Sequence, residues 1–182
     1  MRRRSFNPCR YGTLLRALGI RLQANVRFPP IVDIRRSSSK ARMSDGLPFS
    51  GTKIALLCDG MVVTYLRDAK DGIPFPGLWD LPGGGREGEE SPIDCALREV
   101  EEEFGLRLQR DRVHSLRRYK AGVAGATDTY FCVAEVTGVE LQQVRFGSEG
   151  QCWALMGVSD FIARKDAVPD LQRKLQQHLS GE

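Results

Sequence analysis

Hydrophobic positions from Thr52 onward switch between the two periods of regular secondary structure. Lys53–Cys58 and Met61–Leu66 are β-rich apolar runs separated by Asp59-Gly60, a strong two-residue hairpin signal. Asp68–Pro76 is a polar stretch punctuated by Gly and Pro, which predicts a loop. Gly77-Leu78-Trp79-Asp80-Leu81 reads as a short strand running into Pro82-Gly83-Gly84-Gly85. The pattern then changes to helical spacing: Ile93, Leu97, Val100 and Phe104 form a narrow apolar stripe. Ser91 suits the N-cap, Pro92 the first helical position, and Asp94 the third place of a capping box, with Gly105 as terminator. Val113–Lys120 and Thr127–Val136 predict two strands joined by a turn at Gly122–Ala126. Cys152–Met156 predicts a short strand, Ser159–Ala163 the start of a helix, and Asp170–Leu179 a terminal helix with Leu171, Leu175 and Leu179 on one face.

Charge divides the chain in two. Residues 1–43 hold 11 Lys and Arg against the single acid Asp33, so 16 basic and 22 acidic residues remain for 44–182. The net charge of +4 therefore joins a basic leader to an acidic body. The division predicts a poorly ordered leader over residues 1–45 and one compact domain over 46–182. Three readings of the leader stand open: an organelle transit segment, a basic tail that contacts nucleic acid or anionic surfaces, or a protein that starts at Met43. Five cysteines (Cys9, Cys58, Cys95, Cys132, Cys152) include no C-x-x-C pair, which predicts free thiols in a reducing compartment. That compartment is the cytoplasm, or an organelle matrix if the leader is a transit segment. No apolar run approaches a membrane span, and the acidic body disfavours nucleic acid as partner.

The predicted helix carries the chemistry. Glu99, Glu102 and Glu103 fall at i, i+3 and i+4, stacked on one face, where like charges weaken an isolated helix. A hard divalent cation between them accounts for the arrangement, since Mg²⁺ takes oxygen ligands and is shared between a few carboxylates and substrate phosphates. The glycines just upstream let backbone approach a ligand closely, and a carbonyl there is a natural further oxygen ligand. The bland alternative is a solvated acidic helix.

Gly84, then Glu90, then Arg98-Glu99-Val100-Glu101-Glu102-Glu103-Phe104-Gly105-Leu106 resembles the Nudix box at every defining position, over residues 84–106. The resemblance implies a Nudix-type α/β/α sandwich around a mixed β-sheet. It also implies hydrolysis of a nucleoside diphosphate linked to another group. By the same analogy Glu99, Glu102, Glu103 and the Gly83 carbonyl bind Mg²⁺, with Mn²⁺ as a substitute, and Arg98 orients a glutamate. A small nucleotide is the implied partner of a monomer or homodimer.

Outside the box, Phe146-Gly147-Ser148-Glu149-Gly150-Gln151 resembles the MutT-branch loop whose Glu reaches the metal and assists water activation, which assigns that role to Glu149. Its plain reading is a solvated turn glutamate. Arg67 resembles a phosphate-contacting Arg of that branch, against the plain reading of a strand-end surface arginine. Trp79 is a candidate for stacking on a base, against packing in the core, and Gly84 for close approach of substrate. The proline of ADP-ribose relatives is replaced by Ala121-Gly122-Val123, and the tyrosine of dinucleoside-polyphosphate relatives is flanked by Tyr119 and Tyr130. These departures favour a nucleoside triphosphate cleaved to monophosphate and pyrophosphate. The Asn with which MutT relatives read an oxidised guanine is missing from Arg164-Lys165-Asp166-Ala167, which leaves Asp166 to read a purine edge. The alternatives are a nucleotide-sugar or dinucleoside-polyphosphate hydrolase, or a non-catalytic Nudix-fold binding module.

Overall fold

The computed structural model describes residues 48–121 and 125–181. The basic leader and residues 122–124 of the expected Gly122–Ala126 turn lie outside the described residues. Seven strands form one sheet: β1 (Phe49–Cys58), β2 (Met61–Leu66), β3 (Trp79–Asp80), β4 (Gly83–Gly85), β5 (Val113–Tyr119), β6 (Asp128–Glu135) and β7 (Cys152–Gly157). Among the described residues four α-helices accompany them: α1 (Pro92–Phe104), α2 (Gly138–Leu141), α3 (Val158–Ala163) and α4 (Pro169–Ser180).

The β1–β2 hairpin turns on Asp59 and Gly60, both at positive φ (48° and 77°), as a tight turn of matching twist requires. The main path through the sheet runs β3-β2-β1-β6-β5, with β7 beside β2 and β4 beside β1. β1 and β6 are parallel and the other pairs antiparallel, so the sheet is mixed. β6 occupies one edge of β1 along most of its length. The other edge is shared: β2 pairs at Leu57 and Cys58, while β4 pairs at Gly51, Thr52 and Lys53. The sheet splits between β2 and β4, and that split is where the functional groups gather.

Alternation along β1 sends residues to opposite faces. Ile54, Leu56 and Cys58 pack with Ala96, Val100 and Phe104 of α1. Ala55 and Leu57 pack with Phe161 of α3 and with Leu171 and Leu175 of α4. Helices thus cover both faces, giving the expected α/β/α sandwich. Helix α1 starts where its cap predicts: the Ser91 hydroxyl accepts from the Asp94 amide at 3.2 Å. It ends at Gly105, which adopts φ 66° and donates its N–H to the Glu101 carbonyl.

Three elements differ from expectation. β1 begins at Phe49 rather than Lys53, because parallel pairing with β6 continues through Thr52 and Gly51 and, past an irregularity at Ser50, to Phe49. The glycine run, which sequence marks only as backbone open to close approach, forms β4, held by β1 opposite Gly51, Thr52 and Lys53. The short α2 was not expected, although Thr137 and Glu140 make a reciprocal capping box. The described cysteines carry free thiols, with Cys95 and Cys132 fully buried in the core. No helix among the described residues is long and apolar enough to cross a membrane.

Candidate functional site

The three helix glutamates occupy a gradient of burial. Glu102 is 55 % exposed at its side chain and Glu99 12 %, while Glu103 is buried. Arg98 organises the exposed side of this face. Its Nε and Nη2 donate in parallel to the two Glu90 oxygens at 3.1 and 3.0 Å. Its Nη1 reaches Glu99 at 3.0 Å and Glu102 at 2.8 Å, and Nη2 also donates to the Gly85 carbonyl at 2.8 Å. A planar fork with five donors suits this multiple engagement in a way that lysine would not. Glu90's hydrogen bonds to Arg98 hold its guanidinium pKa above the usual value. Burial works against the Glu90 charge, but its hydrogen bonds to Arg98 and to the Glu87 backbone outweigh it and lower its pKa.

Glu103 sits on the inner side of the same face, where its Oε2 accepts from the Gly83 N–H at 3.0 Å. Burial pushes its carboxyl up to about 7, against the opposing pull of Lys53 and the Gly83 amide. Glu99 is also raised, chiefly by burial and against the pull of Arg98. A Cβ at Gly84 would stand 2.4 Å from Glu99 Oε1, so any side chain there would displace that carboxylate. Gly83 is required sterically, since its φ is 122° and a Cβ would lie 2.2 Å from the Thr52 carbonyl oxygen.

At the split in the sheet lies a polar knot that sequence reading missed. Asp80, 2 % exposed, accepts from Lys53 Nζ at 2.9 Å, Arg67 Nη1 at 2.6 Å and the Tyr65 hydroxyl at 3.2 Å. Lys53 also donates to the Leu81 carbonyl at 3.0 Å. The available signal was a lysine opening an otherwise apolar strand; the partnership itself joins β1, β2 and β3 and has no local signature. A cleft of about 320 Å³ opens beside this knot, lined by Lys53, Arg67, Phe75, Asp80, Gly84 and Lys174. Arg67 also lines a neighbouring hollow of about 250 Å³ with Tyr65, Lys70 and Glu149. Arg67 thus stands between the cleft and the loop of Glu149.

That loop is pinned at several points. The Gly147 N–H donates to the Glu103 carbonyl at 2.8 Å, and Arg145 N–H to the Phe104 carbonyl at 2.9 Å. The Gln151 side chain donates to the Arg67 carbonyl at 2.7 Å. Glu149 itself is exposed, on a segment tied to both the acidic helix and the end of β2.

Trp79 is not where a substrate-contacting role would put it: it is 4 % exposed within the core, with the Arg164 guanidinium 5.5 Å from its ring centroid, so it packs instead of offering a face to a base. Asp166 is paired with Arg164 at 2.9 and 2.7 Å, with its side chain 55 % exposed.

Among the described residues no three His, Cys, Asp or Glu side chains converge into a closed metal cage. Glu99 and Glu102 are turned onto Arg98, and Glu103 onto Gly83. The donor set nonetheless fits a hard divalent ion. Mg²⁺ needs only one or two carboxylates plus waters and phosphates, and Glu99 and Glu102 beside the buried Glu103 offer oxygen donors of that kind on one helix face.

Residues 52–178 match the family described as NUDIX domain, and the chain belongs to that family. A protein of Mycobacterium tuberculosis provisionally named 8-oxo-dGTP diphosphatase 3 is 40% identical over 60 residues, which are 33% of this chain and 27% of that protein. The chain thus spans about a quarter of the curated relatives it matches. A MutT NUDIX hydrolase from Burkholderia pseudomallei shares the fold at TM-score 0.54 and 21% identity, covering 70% of this chain and 95% of that one. A bifunctional NMN adenylyltransferase/ADP ribose pyrophosphatase from Francisella tularensis, complexed with AMP and a manganese ion, matches at TM-score 0.55 and 15% identity, over 75% and 43%. An Ap4A hydrolase from C. elegans matches at TM-score 0.52 and 18% identity, over 72% and 99%.

Proposed function

We propose that this chain is a divalent-metal-dependent hydrolase of phosphoric anhydride bonds. Its substrate class is a nucleoside diphosphate linked to another group. The favoured substrate is a nucleoside or deoxynucleoside triphosphate, an oxidised one included, cleaved to the monophosphate and pyrophosphate. The observation that carries this reading is the Arg98 hub: one guanidinium clamps Glu90, Glu99 and Glu102 beside the buried Glu103, and donates to the carbonyl of Gly85 at the wall of the cleft.

Glu99, Glu102, Glu103, Glu149 and the Gly83 carbonyl are the groups that would hold Mg²⁺ or Mn²⁺. When bound, such an ion supplies neutralisation of polyphosphate charge and Lewis-acid activation of the phosphoryl centre. The chain's own side chains supply the rest. Lys53 and Arg67 offer cationic donors to phosphate oxygens from the wall of the cleft. Glu149 takes the proton of the attacking water, from a loop with glycines at 147 and 150 to absorb closure. Arg98 keeps Glu99 and Glu102 oriented, and Gly84 admits the Glu99 carboxylate against the backbone.

The provisional name of the Mycobacterium tuberculosis relative supports a nucleoside triphosphate substrate. The ADP ribose and Ap4A hydrolases among the neighbours define the competing one: a nucleoside diphosphate joined to a sugar or a second nucleotide. A screen of purified protein with Mg²⁺ or Mn²⁺ against deoxynucleoside triphosphates, 8-oxo-dGTP, ADP-ribose, nucleotide sugars and Ap4A decides between them. Release of pyrophosphate from triphosphates at the highest kcat/KM is expected. Faster cleavage of ADP-ribose or Ap4A would reassign the substrate, and binding without cleavage would leave a non-catalytic module.

A further inference from the structure

The cleft extends away from the glutamates to a wall that the reading above leaves without a role. Sheet register runs Gly85, Gly51, Thr129, Tyr119 across β4, β1, β6 and β5. Thr129 therefore lies two strands from Gly85, roughly 10 Å at the usual strand spacing. Over this end stand the first two turns of α4, which contribute Asp170, Leu171 and Lys174 to the lining.

Lys174 is unusual there. It is 5 % exposed, although lysine is almost never buried without a partner. Its ammonium lies 2.8 Å from Asp170 Oδ2, 3.5 Å from Thr129 Oγ1 and 4.5 Å from the centroid of the Tyr119 ring. Tyr119 is held in turn by a hydrogen bond from its hydroxyl to Gln177 at 3.3 Å. Lys174 and Asp170 both line the cleft, the ammonium lying against the Asp170 carboxylate. Asp170 also receives Arg173 on Oδ1, and its two carboxylate oxygens retain lone pairs for a further donor. A surface Asp–Lys pair one turn apart would merely staple the helix. This pair instead faces the cleft with a donor and an acceptor side by side. Phe75, 48 % exposed, adds an aromatic face to the same cleft.

We propose that Lys174 and Asp170 select the base of the bound nucleotide. They accept an edge that carries a ring carbonyl next to an N–H, as in guanine and hypoxanthine, and reject the amino group and bare ring nitrogen of adenine. The carbonyl receives the Lys174 N–H while the adjacent N–H donates to Asp170. Adenine would turn its amino donors toward the ammonium and its ring lone pair toward the carboxylate, opposing both. Oxidation of guanine at C8 leaves this edge unchanged, so the pair serves the oxidised nucleotide equally. The inference rests on the nucleotide-hydrolase reading for its ligand but not for its test.

The test is equilibrium binding of dGMP, dIMP and dAMP with Mg²⁺ by calorimetry, since a monophosphate has no anhydride bond to cleave. Wild type is expected to bind dGMP and dIMP roughly ten-fold or more tighter than dAMP, as a well-made pair of base-edge hydrogen bonds provides. Asp170→Asn, whose amide can turn either a donor or an acceptor to the base, should bring the three within about three-fold. Lys174→Gln should do the same, with circular dichroism melting to verify folding. If Lys174→Gln fails to fold, Asp170→Asn carries the test, because its side chain is 41 % exposed. Equal affinity of wild type for dGMP and dAMP, absence of binding, or a ratio that survives Asp170→Asn would overturn the assignment. Selective binding with no hydrolysis of any triphosphate would instead overturn the catalytic reading and leave this one standing.

Discussion

The buried carboxylate of Glu103 accepts a hydrogen bond from the amide of Gly83 at 3.0 Å, tying the acidic face of α1 to the glycine strand. Burial raises its carboxyl to about 7, above the ordinary glutamate value of about 4.3. Between those values the folded, metal-free protein keeps a proton that the unfolded chain has lost. Its stability therefore falls as pH rises through that window and levels off above it. The loss is on the order of 3 kcal/mol. Glu103→Gln, which cannot titrate, should remove this component. Chemical denaturation in EDTA between pH 5 and 8 should show the variant gaining on wild type as pH rises. Parallel curves would mean that Glu103 is not held near neutrality.

Glu102→Gln should lower kcat by orders of magnitude while leaving the melting temperature nearly unchanged. Its side chain is more than half exposed and touches Arg98 rather than the core, so folding depends little on it. Turnover close to wild type at saturating Mg²⁺ would remove the acidic face from the site.

Asp80→Asn should destabilise the fold by about 3 kcal/mol, because it strands Lys53 and Arg67 beside a buried position. KM should rise as well, since the carboxylate fixes both cations at the wall of the cleft. Thermal melting and steady-state kinetics check the two effects separately. A variant with wild-type stability would mean that solvent already screens the cluster.

What the sequence made legible follows from how local each cause is. Helix α1 was readable because its cap, stripe and terminator all lie within Ser91–Gly105. The hairpin at Asp59-Gly60 was equally local. β4 was not, because three glycines carry no strand propensity and become a strand only against Gly51–Lys53 of β1. Helix α2 did leave a readable signal in Thr137 and Glu140. Glu99, Glu102 and Glu103 stand out through their spacing, but spacing says nothing of the burial that separates Glu103 from Glu102. Asp80 escaped because its partners sit 27 and 13 residues away. Trp79 was offered as a stacking platform because side-chain type alone does not tell a buried face from an open one.

Glu149→Gln should reduce kcat by roughly two to four orders of magnitude and change KM little, if this carboxylate is the general base. The helix glutamates would still hold the metal that binds the phosphates. An unaltered kcat would return the role of base to Glu99, Glu102 or Glu103.

The central claim is tested most directly by incubating the purified protein with a deoxynucleoside triphosphate and Mg²⁺ and quantifying products by chromatography. Monophosphate and pyrophosphate should appear in equal amounts, stop on addition of EDTA, and fall by orders of magnitude with Glu102→Gln at unchanged melting temperature. Absence of product from every anhydride substrate, or turnover that persists after chelation, would contradict it.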